Sequence, residues 1–126
     1  MKNLSNIGLI YHEMGRFELA IDYLQQALEL SQRLRDENME FHNLTNLSSA
    51  YFGFGQNHKA LGYSQQALKI AHKTKDELME LDSLASIGAT LTQLGRYEEA
   101  MDNYMKILDI PQEIVDKDRL AGVYNN

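Results

Sequence analysis

Histidine and glutamate are the first residues to consider for chemistry, because together they can hold a metal ion or move a proton. His12 and Glu13 begin the pattern of a zinc-protease motif, which needs a second histidine four residues after the first. Arg16 stands at that position, so two ligands cannot share one helix face. His12 and His42 also lack an acidic third ligand, and we predict no metal site and no cofactor.

Acidic pairs and glycines offer no catalytic pattern either. Asp36–Glu37 and Glu98–Glu99 fall where helices are predicted to begin, and acids there interact favourably with the helix dipole. The glycines follow a fixed spacing and form neither a phosphate-binding loop nor a nucleophile elbow. We therefore predict that the protein has no catalytic residues and is not an enzyme.

Composition and charge limit the remaining function classes. With 126 residues, of which 44% are hydrophobic and 24% charged, the chain is predicted to form one soluble domain. The net charge is −6 and the basic residues form no stripe, which argues against nucleic acid as a partner. Cysteine is absent, no apolar run is long enough for a membrane span, and the N-terminus lacks the form of a signal peptide. We expect a cytoplasmic protein with no membrane partner.

A repeat of 40 residues organises the sequence. Shifting the chain by this period aligns Gly15 with Gly55 and Gly95. Each glycine separates two segments in which apolar residues have helical spacing, and it is predicted to adopt the left-handed conformation that ends a helix. The sequence therefore predicts helical hairpins stacked in tandem.

Local signals predict the other helix ends. Asp36 and Asp76 are placed to cap helix N-termini, and Thr74 with Glu77 has the spacing of a capping box. Pro111 should stop the sixth helix, because proline lacks a backbone donor.

These signals together predict an all-α fold, a right-handed α-solenoid of three antiparallel helix hairpins plus a shorter C-terminal helix. The predicted repeats cover about 1–40, 41–80 and 81–112, with a partial fourth repeat at 113–126. Small residues at Gly8, Ser48 and Gly88 should let paired helices approach closely. Tyr23 and Tyr63 are expected to stack between neighbouring second helices.

The residue order within one unit resembles the tetratricopeptide repeat, whose pattern is W-x2-L-G-x2-Y, A-x3-F, P. The first repeat matches this pattern at Leu4, Ile7, Gly8, Tyr11, Ala20, Leu24 and Ala27. The tryptophan and the terminal proline are missing, and the period is 40 where the usual repeat has about 34 residues. The chain is therefore similar to the long-period branch of kinesin light chains, spindle-orientation adaptors and Rap-type regulators. This resemblance implies a non-catalytic module that binds a protein or a peptide.

The first helix of each hairpin is predicted to line an inner groove, because stacked hairpins curve into a superhelix. Helical phase assigns ten candidate ligand-binding residues to this wall. They are Asn6, Leu9, His12, His42, Asn46, Ser49, Phe52, Ser86, Ala89 and Gln93.

Two features of this wall suggest a ligand. Asn6, Asn46, Ser86 and Asn126 share one phase, and a carboxamide can bond a peptide backbone. The resemblance implies that such asparagines grip an extended peptide, although Ser86 interrupts the row; the alternative is asparagines that contact only water. Phe52 is either an anchor for an apolar ligand side chain or a packing residue. The resemblance implies no carboxylate clamp of the chaperone-binding type, because the required Lys and Arg residues are absent.

Two other functions stay open at this point. One is a structural or oligomerisation segment, and the other is a sensory domain of a larger signalling protein. Because the chain ends soon after its third repeat, we expect a fragment of a longer protein with apolar surface at its ends, including Val123 and Tyr124. Such surface predicts a homo-oligomer formed through the repeat ends.

Overall fold

The computed structural model describes residues 2–111 and 113, and every regular element in this part of the chain is an α-helix. The helices are α1 (Lys2–Glu13), α2 (Phe17–Arg33), α3 (Glu37–Gly53), α4 (Asn57–Thr74), α5 (Glu77–Gln93) and α6 (Tyr97–Leu108). Consecutive helices pair into three hairpins, and each hairpin contacts the next through its neighbouring helices. The predicted all-α fold of three antiparallel hairpins is confirmed. The seventh helix and Asn126 lie outside the described residues.

The turn within each hairpin is built on a left-handed glycine, as predicted. The φ angles of Gly15, Gly55 and Gly95 are 76°, 80° and 77°. After Gly15, the backbone N–H of Arg16 donates to the oxygen of Tyr11 at 2.8 Å. This bond engages a carbonyl that the end of the helix would otherwise leave without a partner.

The connections between hairpins use aspartate caps. Asp36 and Asp76 each accept a hydrogen bond of 3.1 Å from the backbone N–H three residues later. The predicted capping box of Thr74 and Glu77 is wrong, because Thr74 still belongs to α4 and its Oγ1 donates to the oxygen of Ile70 at 2.9 Å. Asp76, with extended backbone angles, is the residue that precedes α5.

Close packing within each hairpin depends on small residues. Ala20 and Ala60 are 0% exposed, and Ser48 Oγ donates to the backbone oxygen of Ala60 at 2.9 Å. A Cβ atom at Gly8 would lie 2.8 Å from Cγ of Leu24, which is closer than carbon atoms normally approach. The predicted close approach of paired helices is therefore present.

The tyrosines stack within hairpins, not between them as predicted. Tyr11 stacks on Tyr23 with ring centroids 5.6 Å apart, and Tyr51 stacks on Tyr63 at 5.5 Å. The contact between neighbouring second helices is instead a hydrogen bond of 2.6 Å from Gln25 Nε2 to the Tyr63 hydroxyl. The stacked rings fill the space between the paired helices, and the hydroxyl is left to bond the adjacent hairpin.

The outer face of α6 is exposed and apolar. Met101 and Leu108 are 60% and 80% exposed, whereas Leu61 and Leu28, at the same repeat positions on α4 and α2, are 7% and 6% exposed. α3 packs on α2 and α5 packs on α4, whereas no helix after α6 belongs to the described part of the chain. No helix among the described residues combines the length and the hydropathy that a membrane crossing requires.

Candidate functional site

Two cavities lie between the first helices of the hairpins. The first cavity, of about 440 Å³, opens between α1 and α3 and is lined by Ser5, Asn6, Leu9, Asn38, Met39, His42, Asn43 and Asn46. The second cavity, of about 300 Å³, opens between α1, α3 and α5 and is lined by His12, Ser48, Ser49, Phe52, Gly53, Ser86, Ala89 and Thr90. The second helices contribute nothing to either lining. We call the two cavities together the groove.

The structure brings most of the sequence-predicted site residues together in this groove. Those in the first cavity are Asn6, Leu9, His42 and Asn46. Those in the second cavity are His12, Ser49, Phe52, Ser86 and Ala89. Gln93 is the last residue of α5, is exposed, and lines neither cavity. Their role in binding a ligand stays a prediction.

The first cavity is rich in carboxamides that differ in their bonding. Asn43 is 2% exposed and accepts a hydrogen bond of 2.7 Å from Ser5 Oγ, so its amide oxygen holds α1 against α3. Asn6 is exposed and Asn46 is half-buried, and neither side chain is hydrogen-bonded within the described part of the chain. Their donors and acceptors are therefore available to a ligand.

The second cavity presents a mostly apolar surface despite its hydroxyl groups. Phe52 is 38% exposed at its wall. Ser48 and Thr90 are buried, and their hydroxyls donate to the backbone oxygens of Ala60 and Ser86. Because these hydroxyls are already bonded to backbone carbonyls, the cavity favours contact with an apolar group.

The lining of the groove carries no carboxylate, ammonium or guanidinium group in either cavity. Glu13 on α1 and Glu40 on α3 are next to lining residues in the sequence but do not belong to the lining themselves. Away from the groove, Arg96, the residue before α6, donates from Nη2 to Glu99 Oε2 at 2.6 Å, which lowers the pKa of Glu99 and raises that of Arg96. The lining itself thus presents neutral polar and apolar groups.

His12 and His42 each pack against an aromatic ring. His12 packs edge-on against Phe17 with centroids 5.6 Å apart, and His42 packs in the same way against Phe41 at 5.5 Å. The two histidines line different cavities. Among the described residues, no three His, Cys, Asp or Glu side chains are close enough to hold a metal ion together.

Several lining residues were absent from the sequence-based set. Asn38 lies four residues before His42 and eight before Asn46, so the helical spacing of these three polar residues on α3 could have identified it. Asn43 and Ser48 gave no such signal, because they belong to the face that packs against neighbouring helices and reach the cavities only at their edges.

The fold is similar to several solved structures. The chain aligns with the TPR domain of Arabidopsis FLU at a TM-score of 0.80 and 22% identity, covering 85% of this chain and 90% of that one. It aligns with a putative kinesin light chain from Podosopora anserina, built of nearly identical TPR-like repeats, at a TM-score of 0.75 and 21% identity. This alignment covers 86% of this chain and 54% of that one. A Rap protein complexed with competence and sporulation factor aligns at a TM-score of 0.76 and 19% identity, covering 88% of this chain and 31% of that one. The chain thus spans nearly all of the first structure but about half and a third of the other two.

Sequence comparison identifies the family directly. No curated protein sequence matches the chain significantly. The family profile of the tetratricopeptide repeat, however, matches residues 1–73 and 39–113. These two overlapping matches cover nearly the whole chain and follow the stacked hairpins of the structure. The chain belongs to the tetratricopeptide repeat family.

Proposed function

We propose that the chain is a non-catalytic module that binds an extended segment of a protein or peptide in the groove. Tetratricopeptide repeats are typically protein–protein interaction modules, and their stacked helices form extended binding surfaces. The observation that supports the proposal most is the pair of adjacent cavities between α1, α3 and α5, which contain unbonded carboxamides and an exposed aromatic ring.

The first cavity suits a peptide backbone. A carboxamide offers one acceptor and two donors, which match the N–H and C=O of an extended ligand without requiring a given side chain. Asn6 and Asn46 lie on neighbouring helices across this cavity, so they can contact the ligand from two sides. The fold likeness to a Rap protein solved with competence and sporulation factor is consistent with a bound ligand on this architecture.

The second cavity suits one apolar side chain of the same ligand. Asn46 and Phe52 are six residues apart on α3, which is about 9 Å of helical rise. An extended chain covers this distance with about three residues. The apolar anchor is therefore about three residues away from the ligand residue whose backbone contacts Asn46.

A display experiment tests the proposal. A phage library of random dodecapeptides is selected on the immobilised chain, and enriched peptides are measured against Asn6→Ala/Asn46→Ala. The matched control is Gln26→Ala/Gln66→Ala, which changes two exposed residues of α2 and α4 with the same repeat spacing. We expect the asparagine variant to weaken binding about tenfold, which corresponds to two lost hydrogen bonds of about 0.7 kcal/mol each. If both variants bind like the unchanged chain, the groove is not the binding site.

A second candidate function is supported by the exposed apolar face of α6. Tyr97, Met101 and Leu108 are 60% or more exposed on this helix, and such surfaces commonly mark interaction sites. The chain is then an oligomerisation segment, with or without a ligand in the groove. The end-facing residues Val123 and Tyr124 proposed from the sequence lie outside the described residues.

A further inference from the structure

We infer that the groove selects an uncharged ligand segment, one whose side chains within the two cavities carry no ionised group. This inference rests on the proposed function and adds the chemical class of the ligand. Charged residues make up 24% of the chain, yet none contributes to the lining of either cavity. The groove is therefore a neutral surface in a protein of net charge −6.

A charged ligand side chain would lose solvation in the groove without gaining a partner of opposite charge. Moving an ion out of water is unfavourable unless an opposite charge or several hydrogen bonds compensate. In the second cavity, the hydroxyls of Ser48 and Thr90 already donate to backbone carbonyls. In the first cavity, the Asn43 oxygen is already engaged by Ser5. The polar groups that stay unbonded, such as the carboxamides of Asn6 and Asn46, are neutral, and none supplies the opposite charge that would compensate an ion in the groove.

An acid beside the groove adds a direction to this selectivity. Glu13 lies seven residues after Asn6 on α1, so helical spacing puts it near the groove face. Its side chain is exposed. An acidic ligand segment is repelled by this carboxylate, whereas basic residues are tolerated only outside the cavities, where water screens them.

Affinity for an uncharged segment should depend little on salt, because screening acts on ionic contacts. Dodecapeptides enriched on the unchanged chain should lack Asp, Glu, Lys and Arg at the positions where alanine substitution weakens binding. Their affinity should change less than about twofold between about 50 and 500 mM NaCl.

A charge placed in the groove should change the selected peptides. Ser49 is exposed and lines the second cavity, so Ser49→Lys is compatible with the fold. Selection on this variant should enrich peptides with Asp or Glu at the anchor position and make their affinity fall at least about fivefold over the same salt range. Gln66→Lys, which adds the same charge to the exposed side of α4, should leave the selected peptides uncharged.

The outcomes separate this inference from the proposed function. Peptides that carry ionised residues at critical positions, bind with strong salt dependence and still require Asn6 and Asn46 would overturn the inference while supporting the function. Peptides that bind independently of both asparagines, or no enriched peptides at all, would overturn the function and this inference with it. Uncharged peptides that require both asparagines and become acidic on Ser49→Lys support both.

Discussion

Ser5 Oγ donates a hydrogen bond of 2.7 Å to Oδ1 of Asn43, which joins the first helices of two neighbouring hairpins. The same repeat positions one unit later are occupied by Thr45 and Ser83, and they do not bond each other. Thr45 Oγ1 donates to the backbone oxygen of His42, and Ser83 Oγ, at 0% exposure, has no partner among the described residues. One interface thus has a satisfied polar pair, and the other buries an unsatisfied hydroxyl.

Replacing the unsatisfied hydroxyl should stabilise the protein. Ser83→Ala is expected to raise the free energy of unfolding by about 1 kcal/mol, because a buried hydroxyl without a partner costs about that much or more. Ser64→Ala is the control, since Ser64 is equally buried but donates to the backbone oxygen of Ala60 at 3.1 Å. Urea denaturation of both variants gives the comparison. An equal change in the two would show that Ser83 has a partner after all.

Two glycines in equivalent positions should respond differently to alanine. At Gly8 the new Cβ would meet Leu24, which is 0% exposed, and would lie 3.3 Å from the backbone oxygen of Ala20. At Gly88 it would meet the ring of Tyr104, which is 40% exposed and can turn outward. Alanine gains about 1 kcal/mol in helix propensity at either site, while overpacking costs about 1–3 kcal/mol where the neighbour cannot move.

We therefore expect Gly8→Ala to lower the unfolding free energy by about 1 kcal/mol and Gly88→Ala to leave it unchanged or raise it slightly. Thermal denaturation followed by circular dichroism measures both. A loss of stability at Gly88 as large as that at Gly8 would mean that the Tyr104 ring is fixed.

Replacing Lys75, in the connection before α5, with glycine should stabilise the protein. Lys75 has a φ of 54°, in the left-handed region where a side chain costs about 1–2 kcal/mol. Lys75→Gly removes this cost but increases the entropy of the unfolded chain, so a net gain of about 0.5–1 kcal/mol is expected. Lys69→Gly, at an exposed position inside α4, should instead lose about 1 kcal/mol. Destabilisation by both substitutions would contradict the strain at Lys75.

The exposed face of α6 should mediate self-association. Size-exclusion chromatography with light scattering is expected to show a mass that rises with concentration for the unchanged chain, because its apolar face can be buried against a second copy. Met101→Glu/Leu108→Glu should return the mass to that of a monomer. Gln26→Glu/Gln66→Glu adds the same charge on α2 and α4 and should not. A strictly monomeric unchanged chain at high micromolar concentration would rule this interface out.

The fold and most of the groove could be predicted because both depend on periodic signals. The 40-residue spacing of glycines gives the hairpins, and the phase of each first helix gives the inner wall that Asn46 and Phe52 occupy. These predictions need only backbone geometry. They do not depend on which hydrogen-bond partner each side chain has.

Side-chain partners could not be predicted in the same way. The sequence does not show that Thr45 bonds its own helix while Ser5 bonds the next, because both hydroxyls have a carbonyl within reach and local packing decides. Similarly, Tyr63 stacks on Tyr51 within the hairpin, and the hydrogen bond from Gln25 to its hydroxyl depends on the angle between hairpins. Both Thr74 and Asp76 could have capped α5 from the sequence alone. Because α4 extends through Thr74, Asp76 is the residue that caps α5.

The central helix α3 contributes several residues to both cavities, whereas α5 contributes only to the second. If the groove binds a peptide as proposed, exchange of the third hairpin for a different one should alter the second cavity and leave the first cavity intact. Under the proposed function, ligand preference could then be changed one hairpin at a time, while α3 keeps its residues in both cavities.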